Sequence, residues 1–156
     1  MGTPKWWDEF TGVSEILAAA DRAEVEYWHD LSGHSRPEGP PLTLRLAVLG
    51  AQYARRAGEF TDEQTRRMFL LLEHVMAADG DESNAVAVGF LDTLLNAWTK
   101  GFDLEAAWRS VGPASRAYCR AWSAATGVRP PPWMREIPPP RRAARLAAAL
   151  RWTPTR

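Results

Sequence analysis

The sequence is short of cysteine, and that limits where and how it can be built. Among 156 residues only Cys119 carries a thiol. No disulfide can close within the chain, so a stapled secreted scaffold is excluded and a cytoplasmic setting is expected. Long hydrophobic runs are missing too; nothing approaches the roughly 18–20 apolar residues of a membrane span. The start, Met1-Gly2-Thr3-Pro4-Lys5-Trp6, has no apolar stretch behind a basic residue, so no secretory leader is expected. Trp6 also stands where a lipidated Gly2 would want a Ser or Thr. Net charge is absent, with 19 Lys and Arg against 19 Asp and Glu. Nothing global therefore argues for nucleic acid or a membrane surface as partner.

The usual catalytic signatures are absent as well. There is no G-x-S-x-G elbow, no G-x-x-x-x-G-K-[ST] phosphate loop and no G-x-G-x-x-G. His29, His34 and His74 are scattered, and no Cys/His spacing suits zinc. Asp79, Asp81 and Ser83 alternate as in a calcium loop. The glycine such a loop needs would fall on Asn84, and its bidentate acid on Phe90. Cys119, between Tyr118 and Arg120, reads as a small buried hydrophobe with no base assigned to it. No catalytic residue, cofactor or metal is expected, and the chain reads as a non-enzyme.

What is present is a helical pattern. Eight Trp, five Phe and three Tyr supply enough burial for one domain. Three- and four-residue apolar steps predict a helix over 14–31 (Ile16, Leu17, Ala20, Ala23, Tyr27, Leu31) and another over 42–57 (Leu42, Leu46, Leu49, Tyr53). Thr61-Asp62-Glu63-Gln64 reads as a capping box opening a third helix to Ala78. A fourth is expected from the Asp81–Ser83 caps to Gly101, a short fifth from Asp103 to Arg109, and a sixth from Pro113 to Gly127. Phe90, Leu94, Trp98 and Trp122 are the expected core. Residues 128–140 are proline-rich and predicted to be extended, with Trp133, Met134 and Ile137 docked on the bundle. A last helix is expected over 141–152. No period-two strand signal survives. The expected fold is all-α: one bundle of six to seven helices over 1–127, with 128–156 as a Pro-rich segment and an Arg-rich C-terminal helix lying against it.

The charges are balanced but polarised. Residues 1–100 hold sixteen acids and nine bases, while 101–156 hold three acids and ten arginines. Arg141, Arg142, Arg145 and Arg151 share the last predicted helix with Leu146, Leu150 and Trp152. The two halves either complement one another internally or offer one pole to a partner.

One stretch has a recognisable order. Glu59-Phe60-Thr61-Asp62-Glu63-Gln64 opens a helix carrying Glu73, then comes the Asp79-Gly80-Asp81 turn. Next is an N-A-V-x-x-x-F-L-[ED]-x-L helix (Asn84 to Leu94), then G-P-x-S-x-x-Y-x-x-x-W (Gly112 to Trp122). This resembles a family of small bacterial all-helical proteins without assigned enzymatic activity, many of which look like immunity proteins encoded beside secreted toxins. The resemblance covers under half the chain and supplies no catalytic residue. It implies a cytoplasmic protein that binds a cognate toxin domain directly, with no membrane partner. The expected partner surface is the acidic half: Asp21, Glu24 and Asp30, with Tyr27 and Trp28 as anchors, then Asp62, Glu63, Asp79, Asp81 and Glu82. The alternative is a helical regulatory or nucleic-acid-binding domain using the Arg-rich end. Zero net charge and the lack of a helix-turn-helix pattern argue against that.

Overall fold

The structure, a computed structural model, describes residues 2–32 and 38–135. The expected helix over 141–152, the docking of Ile137 and most of the loop after Gly33 lie outside the described residues. Within them the chain is all-helical, with seven helices and no strand. They are α1 (Trp7–Thr11), α2 (Glu15–Ser32), α3 (Leu42–Arg56), α4 (Asp62–Ala78), α5 (81–98), α6 (Leu104–Trp108) and α7 (Pro113–Thr126). Single 3-10 turns follow at Ala57–Glu59 and Pro132–Met134.

Local chemistry sets most of the boundaries. The Thr61 hydroxyl accepts from the Gln64 amide and the Gln64 side chain accepts from the Thr61 amide, so α4 opens with the full capping box. Ser14 Oγ accepts from the Ile16 amide ahead of α2, and Asp103 accepts from the Ala106 amide to open α6. Pro113 stands at the first position of α7, where its missing N–H costs nothing. Gly127 closes α7 at φ 73°, a left-handed conformation that favours glycine.

The core is built on α5. Its first turns (Asp81–Ala85) and last turns (Asp92–Trp98) are α-helical, and between them Val86–Leu91 forms a π-helix. Phe90, in that π segment, is fully buried. Its ring meets Phe10 of α1 at 5.9 Å, Phe69 of α4 at 6.3 Å and Tyr53 of α3 at 6.5 Å. Four helices thus share one aromatic cluster. Helix α3 packs against α2 on one side and α5 on the other. A Cβ at Gly89 would lie 2.5 Å from the Thr43 carbonyl oxygen, and one at Gly50 would lie 3.1 Å from that of Phe90. Two glycines therefore bring the backbones of α3 and α5 into contact. Thr93 Oγ1 donates to the Gly89 carbonyl at 2.7 Å, supplying that π-turn oxygen with a donor.

Several expectations need correction. Helix α1 was not expected; five residues are too few to show a period, yet Trp7 and Phe10 are both buried. The fourth predicted helix ends at Trp98 rather than Gly101, and Gly80, not Asp81 or Ser83, is its cap residue. Ser83 instead is buried and donates to the Met76 carbonyl. Phe90 and Leu94 are buried, but Trp98 and Trp122 are only partly so, packed on the edge of the core. Trp98 and Trp108 hold Trp133 between them at 5.9 and 5.3 Å, and Met134 is fully buried. The segment after α7 is therefore anchored on the bundle through its 3-10 turn.

Candidate partner-binding surface

The residues of the recognisable stretch are used inside the fold. Glu73, on α4, accepts from the Ala114 amide at 2.7 Å, the Ser115 amide at 3.0 Å and the Ser115 hydroxyl at 2.8 Å. It thereby caps α7 from another helix, at the end where the helix dipole favours a negative charge. A Cβ at Gly112 would lie 2.3 Å from Glu73 Cδ, which explains the glycine before Pro113. Asp92 accepts from the Tyr118 hydroxyl at 2.7 Å, linking α5 to α7. Burial and the Asp92 carboxylate together push the Tyr118 phenol up.

The acidic residues of the expected surface divide into three groups. Asp21 faces inward. Its carboxylate accepts from Arg45 Nε at 2.7 Å, from Arg45 Nη2 at 2.6 Å and from the Trp7 indole N–H at 3.1 Å, and the Asp21 and Arg45 side chains are only 13% and 15% exposed. The Arg45 guanidinium also lies 4.5 Å over the Trp7 ring. Asp21 is thus a fold residue that locks α2 to α3. Sequence pattern alone did not reveal this, because its partner is 24 residues away.

Asp62 and Glu63 open α4, and Glu63 pairs with Arg66 on the same helix. They line a groove of about 800 Å³ between α4 and the α6–α7 turn, together with exposed Leu70. Asp79, Asp81 and Glu82 stand at the other end of α4, a helix of 17 residues and so roughly 25 Å long. The two groups therefore stand at opposite ends of one helix.

The third group is the far half of α2. The Asp21–Arg45 pair sets α2 level with the first turn of α3, so residues beyond about Glu24 run past the start of α3. The predicted stripe continues there with its large side chains exposed. Ile16 and Ala20 are half-buried, whereas Ala23 is exposed, Tyr27 is 58% exposed and Leu31 66%. At about 100° per residue, Ala23, Tyr27 and Leu31 fall on one line with Glu24 and Asp30 on its two sides. Glu24, Glu26 and Asp30 make no ion pair among the described residues. Trp28 is half-buried beside them.

The same end of the bundle carries the Asp79–Glu82 turn. Thr43 and Arg45 of α3 and Asp81 and Glu82 of α5 line one cleft of about 500 Å³, closed by Gly2–Pro4 and Glu38. The Trp6 indole N–H donates to Glu82 at 2.7 Å, and Asp79 Oδ1 accepts from the Gly80 amide. Asp79 holds φ 58° and ψ 160°, a backbone region nearly reserved for glycine. Of the ten expected residues, the structure brings Glu24, Tyr27, Trp28, Asp30, Asp79, Asp81 and Glu82 to one end. It separates Asp62 and Glu63 and turns Asp21 inward. Sequence reasoning missed Leu31 as an exposed residue, having placed it on the core stripe.

Compared with known proteins, the chain matches no family model, no curated protein and no solved structure.

Among the described residues no group of three His, Cys, Asp or Glu side chains could hold a metal, and no helix is long and apolar enough to cross a membrane. Cys119 is buried, and desolvation pushes its thiol up to about 12. A thiol raised in the fold above its ordinary value of 9 favours the folded state at low pH. That contribution is lost as pH rises through 9 towards 12. Native Cys119 should therefore label slowly with a thiol reagent at pH 7. Stability should fall above pH 9, and Cys119→Ala should reduce that alkaline slope. Fast stoichiometric labelling of the folded chain would contradict this.

Proposed function

We propose that this protein is an immunity protein: a cytoplasmic, non-enzymatic binder that neutralises a bacterial toxin by direct contact. The observation that carries the reading is the overhanging half of α2. Large apolar side chains, Tyr27 and Leu31, stand in solvent on a rigid helix, bordered by Glu24, Glu26 and Asp30. Tyrosine is enriched among residues that dominate interface energies, and a rim of one charge sign selects and steers a partner of the opposite sign. The partner surface is accordingly basic, as in a cleft that handles nucleic acid or nucleotides. The resemblance of residues 59–127 to immunity-like proteins points the same way.

Co-purification of the tagged chain from its native cells, with identification of what is retained, tests the reading first. A secreted protein with a toxic C-terminal domain should be recovered. Glu24→Lys with Asp30→Lys then tests the face. Neither carboxylate makes an ion pair among the described residues, so the melting temperature should hold. Association with the captured toxin should slow by about 10–100-fold at low salt, and the difference should shrink at high salt. A double variant that binds at the wild-type rate but melts earlier would assign these carboxylates to internal electrostatics instead.

A further inference from the structure

We infer that the face formed by α6, α7 and the Pro132–Met134 turn binds single-stranded nucleic acid, through guanidinium groups set around half-buried indoles. The inference does not rest on the toxin reading. Helices α3 and α5 stand between this face and α2.

The zero net charge of the chain conceals a local excess. Residues 104–135 hold five arginines, no lysine and a single acid, Glu105. Contacts across the bundle join them into one surface. Arg116 Nη2 donates to the Trp108 carbonyl at 2.7 Å, and the same guanidinium lies 5.3 Å over the Trp108 ring. Trp108 packs on Trp133, and Trp133 on Trp98. Ser123 Oγ donates to Met134 Sδ at 3.6 Å, so the segment after α7 turns back along that helix. Arg120 lies one turn beyond Arg116 on α7, and Arg129 and Arg135 bracket the returning segment. Both bracketing side chains are exposed, and neither makes an ion pair among the described residues.

The chemistry of the face selects the ligand. A protein partner anchors on large apolar side chains that it can bury. Those exposed among the described residues are Tyr27, Leu31, Leu44, Leu70 and Val88, and none belongs to α6, α7 or the turn. What the face offers is cationic and planar. Guanidinium groups take phosphate oxygens in pairs, and an indole stacks on any base, since every base has a π face. The half-buried Trp98 and Trp133 keep part of their indole surface open beside Arg135. In a duplex the base faces are closed against one another; in a single strand they are free to stack on protein. Helix α7, with 14 residues, runs roughly 21 Å. That is room for about six nucleotides at the stacked spacing of about 3.4 Å, within the range that one small domain covers.

The test uses the full chain and a fluorescein-labelled oligothymidylate of about 20 nucleotides, read by anisotropy. Binding should weaken as salt rises, with a log–log slope of about −2 to −3, as three or four phosphate contacts require. Arg129→Glu with Arg135→Glu should weaken binding about tenfold or more and flatten the slope by about 1.4, while the melting temperature holds. Trp133→Leu should weaken it about tenfold with the slope unchanged, and Trp133→Phe should recover most of that loss. A chain that leaves the anisotropy unchanged at low salt would overturn the inference. Tighter binding of a duplex of the same length would overturn it too, as would equal binding of polyglutamate, the sign of mere attraction to any polyanion. So would binding that survives the Arg129 and Arg135 reversals but is lost with Arg141→Glu and Arg142→Glu. In each case the immunity reading stands or falls separately, on co-purification.

Discussion

Phe90→Ala should lower stability by about 3–5 kcal/mol. In a chain of this size that is a drop in melting temperature of about 6–20 °C. The ring is fully buried and touches aromatic side chains from α1, α3 and α4. Truncation leaves a cavity that none of them can fill alone, because each is held by its own helix. The loss comes from removed apolar contact, from edge-to-face ring pairs and from incomplete collapse around the void. Trp122→Ala is the useful comparison. Trp122 is larger but only partly buried at the edge of the core. It should cost clearly less than Phe90→Ala in the same denaturant titration. Equal losses would mean that the aromatic cluster around Phe90 is not the centre of the fold.

Gly89→Val should be nearly as damaging, for the opposite reason. A Cβ at this position would sit 2.5 Å from a backbone oxygen of α3 and 2.9 Å from Leu46 Cβ. The first obstacle is main chain, so no side-chain rotation relieves it. Helices α3 and α5 would have to separate, loosening the contact that also seats Gly50 against Phe90. Overpacking of this kind costs about 1–3 kcal/mol and sometimes more; two methyl groups beyond the Cβ place Gly89→Val at the upper end. Val88→Ala is the control, since Val88 is an exposed neighbour on the same π segment. It should melt within about 0.5 kcal/mol of wild type. A Gly89→Val chain that melts with the control would show that the two backbones are not in contact.

The helices that sequence made legible are those with both a period and a punctuation mark. Helix α4 had its capping box and α7 its Gly112-Pro113 start and Gly127 stop, and both form within a residue or two of their expected ends. Helix α1 had neither, although two of its five residues are core. The π segment was illegible because the apolar positions of α5 suit an α-helix equally well. Only the approach of α3 at Gly89 distinguishes the residues there. The surface was half legible. Acidic residues on a helix look alike in sequence until their partners are placed, so Asp21 and Asp30 could not be told apart without Arg45. For Leu31 the error ran the other way. Its spacing matches the core stripe, yet it stands in solvent at the far end of α2.

Glu73 gives the bundle a form of shared fate. The first turn of a helix ordinarily frays, since its amides have no acceptors within the helix. In α7 two groups of that turn are held by a carboxylate 41 and 42 residues earlier. The start of α7 is therefore as durable as the end of α4 and no more so. If α4 opens, α7 loses its acceptor in the same event. Two segments distant in sequence thus behave as one cooperative unit, and the chain between them, α5 and α6, is enclosed by it. Such a molecule presents its outer surface on a frame that is either assembled or absent, with little in between.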